Sequence, residues 1–191
     1  MVIAAAAGES SSLQRRAEVA LHRGDRDAAQ ALLDDALAVA RESDLGFHLF
    51  DRIYCTRIAA APDPRAALAA VEEGEAAVHG SAETCPGCRI TVDIPAAIAA
   101  AKAGDLDRAL RYEHAARRLT SLPGWYAAAH GVRGHRARAD GDDVSATDHF
   151  VAARCFREAG QPLDAVRREA LAGRCVSLTP PCWTPDTLTN P

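Results

Sequence analysis

The sequence predicts an all-α protein, an α-solenoid of about four helical hairpins closed by a C-terminal capping helix. Three observations carry that prediction. Alanine is the commonest residue type in the 191-residue chain and has the highest intrinsic helix propensity. Aromatic residues make up only 5% of the chain, and the β-branched and aromatic residues that mark strands never alternate for long. A two-residue turn also recurs, as Gly24-Asp25, Pro62-Asp63, Gly104-Asp105 and Gly141-Asp142, with its aspartates 38, 42 and 37 residues apart. That period is close to the repeat of stacked helical pairs.

Each turn has a physical reason. Gly takes the left-handed conformation that ends a helix, and the Asp that follows accepts hydrogen bonds from the free N–H groups of the next one. Residues 1 to 10 are expected to form a flexible N-terminus, with the repeat domain over residues 11 to 177. In the first hairpin LQRRAEVALHR runs up to Gly24, and Asp27 to Gln30 reads as a capping box for the next helix. There Leu32, Leu33, Ala36, Leu37 and Ala40 form one buried stripe, leaving Asp34, Asp35 and Arg41 outside.

The second hairpin is expected from Leu45 to Ala60 and from Pro64 to His79, with Asp63 as cap and Pro64 in the first turn. The third runs from near Cys88 to Ala103 and from Leu106 to Leu119. Pro95 removes a backbone hydrogen bond there, so the first of these helices either kinks or starts near Asp93. The fourth runs from Gly124 to Ala139 and from Asp143 to Ala159. Gln161-Pro162 opens the capping helix, which extends to about Cys175. Residues 178 to 191 read as a Pro- and Thr-rich mobile tail.

Charge and composition exclude several functions. The net charge is −4, with no concentrated basic face, so direct nucleic-acid binding is not expected. The run from Arg133 to Arg138 reads as a solvated helix face, as does the acidic patch Glu72, Glu73 and Glu75. Lys102 is the only lysine and Met1 the only methionine, which fits the codon bias of a GC-rich genome. No apolar run is long enough to span a bilayer, and the opening residues lack a signal peptide's charged region, so a cytoplasmic protein with no membrane partner is expected. In a reducing compartment the six cysteines are more plausibly small buried hydrophobes than a disulfide framework.

Catalytic motifs are lacking. There is no phosphate loop, nucleophile elbow, zinc-protease helix or dinucleotide fingerprint, and Glu113-His114 has no matching partner pair. The chain reads as no enzyme. The CPGC element, with Cys85 and Cys88, leaves three readings open. It is a turn that opens the third hairpin, half of a zinc site, or a thiol pair with redox character. Parallel first helices would bring His48 near Cys88, and His79 to the same edge, so His48, His79, Cys85 and Cys88 form a candidate Cys2His2 set with zinc as the only cofactor called for. By the same geometry Tyr54, Arg57, Trp125, Tyr126 and His130 could line a groove, with Phe47 and Phe50 near it, although core packing explains most of these aromatics.

The units AKAGDLDRALRYEHAARRL and HFVAARCFREAGQPLDAVRREA resemble tetratricopeptide-like repeats. HLFDRIYCTRIAAAPDP with ETCPGCRITVDIPAAIAAAKAGDLDRA is similar to the C-terminal repeat region of actinobacterial LuxR-type and related ATPase-containing transcriptional regulators. The likeness covers roughly residues 14 to 172. It implies a right-handed solenoid of TPR-like hairpins that binds a protein, a peptide or a small effector, a homodimer among the options, and governs a partner domain. No ATPase segment or helix-turn-helix accompanies the repeats here, which leaves direct transcriptional control by this chain alone in doubt. The competing expectation is a metal- or thiol-responsive sensor built on the same scaffold around CPGC.

Overall fold

A computed structural model describes residues 2–78, 86–117 and 123–172. Among these every regular element is helical: α1 (Val2–His22), α2 (Arg26–Arg41), α3 (Gly46–Ala60), α4 (Pro64–Val78), α5 (Pro86–Lys102), α6 (Leu106–Arg117), α7 (Pro123–Ala139), α8 (Asp143–Ala152), a 3-10 turn (Ala153–Phe156) and α9 (Pro162–Ala172). The all-α expectation holds for the described residues.

The recurring turns close as their chemistry requires. Gly24, Gly104 and Gly141 have φ of 83°, 81° and 83°, a region open to Gly at little cost. At each, the glycine N–H and the following aspartate N–H reach back to two orphan carbonyls of the helix just ended, as in Gly104 to Ala101 and Asp105 to Ala100. The same aspartate then turns its carboxylate forward. Asp25 accepts from Ala28 N–H at 3.0 Å, Asp105 from Arg108 at 3.0 Å and Asp142 from Ser145 at 2.9 Å. One residue thus closes one helix and caps the next. Asp63 caps α4 in the same forward manner, accepting from Ala66 N–H at 2.8 Å.

Three boundaries differ from expectation, and at a fourth one of two alternatives is found. The cap of α2 is Asp25 rather than Asp27, because the glycine leaves only one residue before the helix resumes. Residues 2 to 10 belong to α1. Ser10 is fully buried and its hydroxyl donates to the Ala36 carbonyl at 2.9 Å, while Ala7 and Leu13 pack on the core. Helix α5 starts at Pro86 and runs through Pro95, so the alternative start near Asp93 does not apply. The helix expected from Asp143 to Ala159 ends at Ala152. The chain tightens into the 3-10 turn, which drops Cys155 and Phe156 into the core against α7.

Packing follows the chain. Helices pair as α1 with α2, α3 with α4, α5 with α6 and α7 with α8. The first helices α1, α3, α5 and α7 also touch in succession, and α9 rests on α8 and on the 3-10 turn. In α2 the buried residues are Ala29, Leu33, Ala36, Leu37 and Ala40, close to the stripe read from sequence, with Leu32 only half-buried. Complete burial of a residue such as Leu33 contributes roughly 2 kcal/mol. Small residues set the helix spacing: a Cβ on Gly74 would lie 2.9 Å from the Tyr54 ring, and one on Gly134 2.7 Å from Phe150. None of the described helices is long and apolar enough to cross a membrane.

Candidate functional site

The contact between α3 and α5 gathers the polar groups with most chemical potential. Helix α3 interrupts its apolar register with His48 and Asp51, one turn apart, and α5 does so with Cys88, Arg89 and Asp93. Cys88 Sγ lies 3.5 Å from His48 Nδ1, a hydrogen bond whose donor depends on which group holds the proton. Beside it Arg89 donates to Asp51 at 3.0 Å and stands 3.7 Å from Asp93. Both carboxylates are buried, Asp51 at 1% exposure and Asp93 at 5%.

Two acids share one guanidinium in this seam, and burial outweighs it. Desolvation pushes the Asp93 carboxyl up to about 6 against the pull of Arg89, with Asp51 and Glu75 adding repulsion. Asp51 is raised for the same first reason, while Arg89 and then His48 act to lower it. His48 therefore sits between a sulfur and the field of a buried acid. An imidazole and a thiol at this distance can exchange a proton or serve as two ligands of one ion. With zinc bonds of about 2.3 Å to sulfur and 2.0–2.1 Å to nitrogen, tetrahedral geometry sets the two atoms about 3.5 Å apart.

Two residues of the expected Cys2His2 set are described. Cys88 and His48 are brought together, while His79 and Cys85 lie outside the described residues. Among the described residues no group of three or more His, Cys, Asp or Glu side chains is arranged to hold a metal. Cys55 and Cys155 are the other two described cysteines. Burial pushes Cys55 up to about 12, which leaves it unreactive, and Cys155 is a buried core residue.

The groove residues separate into two groups. Tyr54 is 4% exposed and lies against Gly74 in the core shared by α1, α2 and α3. Arg57 is held by Asp34 at 2.6 Å and Glu73 at 3.6 Å. Trp125 is half-buried against a second core, around α5 and α7. Tyr126 is buried and meets the His130 ring edge-on. The burial of Tyr54 and Tyr126 removes both from any ligand-facing surface. Phe50 is half-buried on the first core, and the Phe47 side chain lies outside the description.

Sequence reasoning missed the buried charges. Asp51 lies between Leu49 and Ile53, and Asp93 between Val92 and Ile94. An acid inside an apolar stripe, with an Arg four residues before it in the second case, was the available signal. The run at Arg133 to Arg138 is likewise not a plain solvated face. Arg133 and Arg136 donate to Glu113, itself 2% exposed, at 2.9 and 2.7 Å, and His135 is buried. The acidic patch on α4 bridges helices: Glu72 pairs with Arg108, Glu73 with Arg57, and Glu75 accepts from the Tyr112 hydroxyl.

Comparison with family models, with curated proteins and with solved structures yields no match to this chain.

Proposed function

We propose that the chain is a non-enzymatic helical-repeat module, a right-handed TPR-like solenoid that binds a protein or peptide partner along its first helices. One observation carries this reading. On α3 the residues left exposed or half-buried include His48, Arg52 and Ala59, and on α5 they include Thr91, Pro95, Ile98 and Lys102. The first set falls at spacings of four and seven and the second at four, three and four, one helical face each. The two helices touch, and the His48 to Cys88 contact joins the start of the first stripe to α5 one turn before Thr91. Two like stripes on neighbouring helices present a continuous surface, the kind that stacked hairpins use for extended ligands. The resemblance to regulator repeats suggests that the occupant belongs to a transcription-control system.

Affinity capture with the full chain tests this. A partner retained by the native protein and by Asp35→Lys, on the outer side of α2, should be lost with Arg52→Glu and with Thr91→Arg. Equal retention by all four proteins would defeat the reading.

A second reading has its own support in the His48 to Cys88 pair, namely a metal- or thiol-responsive sensor with zinc as the ion. Purified protein should then carry zinc, or show a Cys88 thiol that alkylates faster than free cysteine and slows in His48→Ala. No metal together with an ordinary thiol rate would dismiss it.

A further inference from the structure

His130 of α7 and His149 of α8 aim their Nδ1 atoms at each other, 3.3 Å apart, with ring centroids separated by 5.4 Å. Both side chains are half-buried and so remain reachable from solvent. Burial lowers both titrations, with Arg133 the second cause in each case, and takes His130 down to about 4. Burial favours the uncharged ring in both, the state in which imidazole offers a lone pair.

A hydrogen bond between the rings is one way to use that separation. Another is a shared ion. With metal–nitrogen bonds of about 2.0–2.1 Å, a tetrahedral centre holds two nitrogens about 3.3–3.4 Å apart, which is the distance found. The two positions are also set in advance. The Gly141-Asp142 turn joins the helices without a spare residue, and Phe150, next to His149, is fully buried against Gly134. Tyr126 packs edge-on against His130 with centroids 4.7 Å apart.

We propose that His130 and His149 form a two-histidine site for a borderline divalent transition-metal ion of the zinc, nickel and copper class, completed by water. Arg133 opposes a cation, but Glu113 engages both Arg133 and Arg136, and Asp148 adds its field at His149. Binding releases no net proton at neutral pH, because the Nδ1 proton of the donor ring is replaced by one on its Nε2 through solvent. The site differs from the His48 and Cys88 pair in having no sulfur, and it stands whether or not the docking surface does.

Untagged, metal-free full-length protein titrated with Zn2+, and separately with Cu2+ for electron paramagnetic resonance, supplies the test. One ion should bind at this pair, the copper spectrum should show hyperfine coupling to two nitrogens, and His149→Ala and His130→Asn should each weaken that binding at least tenfold. Cys88→Ser and His114→Ala should leave that site unchanged. Circular dichroism identifies any variant that fails to fold, and His149→Ala, at a half-exposed position, then carries the test alone. No ion bound at about 100 μM free metal, affinity unchanged in His149→Ala, or loss in Cys88→Ser would overturn the proposal.

Discussion

The Tyr54 ring lies directly on Gly74, so that α3 and α4 meet at a point where no side chain fits between them. Gly74→Ala gains about 1 kcal/mol of helix propensity, yet its methyl group would sit 2.9 Å from the ring. Overpacking at a buried ring costs about 1–3 kcal/mol. The variant should therefore be less stable in urea unfolding, and adding Tyr54→Leu should recover much of the loss. A more stable Gly74→Ala would show that the helices separate freely.

The turn aspartates should be worth more than surface acids. Asp105→Ala removes a cap and should cost about 1 kcal/mol. Gly104→Ala forces a side chain into φ of 81° and should cost about as much. Because both act on the same turn, the double variant should lose less than the two single losses combined, measured by urea midpoints at constant slope.

Among the described residues Glu113 is the acid that both Arg133 and Arg136 of α7 grip. Glu113→Gln leaves their charges facing a buried neutral amide and should cost about 3 kcal/mol. Glu72→Gln, which breaks an exposed pair with Arg108, should cost under about 0.5 kcal/mol. Similar losses in thermal or urea unfolding would mean that burial does not distinguish the two pairs.

Stability against pH should show two opposing contributions. The folded chain holds the Asp93 proton to about pH 6 against an ordinary 3.8, so this contribution is complete below the lower value and fades as pH rises through the upper. The histidines run the other way. His130 falls to about 4 and His135 to about 3 from 6.5, so their contribution is complete above 6.5 and fades as the solution is acidified. Between pH 4 and 6 the two cancel in part. Asp93→Asn should steepen the loss of stability on acidification, and His135→Gln should flatten it, in urea unfolding at stepped pH.

The elements legible in the sequence were those fixed by local chemistry. Gly-Asp turns, the α2 stripe and the α3 to α4 boundary depend on residues within a few positions of each other, and they are found nearly where expected. The extension of α1 to Val2 depends on Ser10 meeting the Ala36 carbonyl, a pairing of residues distant along the chain, and no local pattern announces it. The continuation of α5 through Pro95 likewise draws on packing against α3 and α7. At the candidate site the approach of His48 to Cys88 is the one that an expectation of parallel first helices called for. The groove did not follow from it, because Tyr54 and Tyr126 are aromatic residues used to fill cores made mostly of alanine. The burial of Asp51, Asp93 and Glu113 was not legible because a buried acid and a surface acid are the same letter until their neighbours are known.

At three turns a single aspartate both finishes one helix and begins the next, which leaves the hairpin no slack. Inserting a residue between Gly104 and Asp105 would sever two caps at once, so such joints should tolerate substitution far better than any change in length. Each of these three hairpins is then a rigid brick. Any bending of the stack has to be absorbed in the courses between bricks.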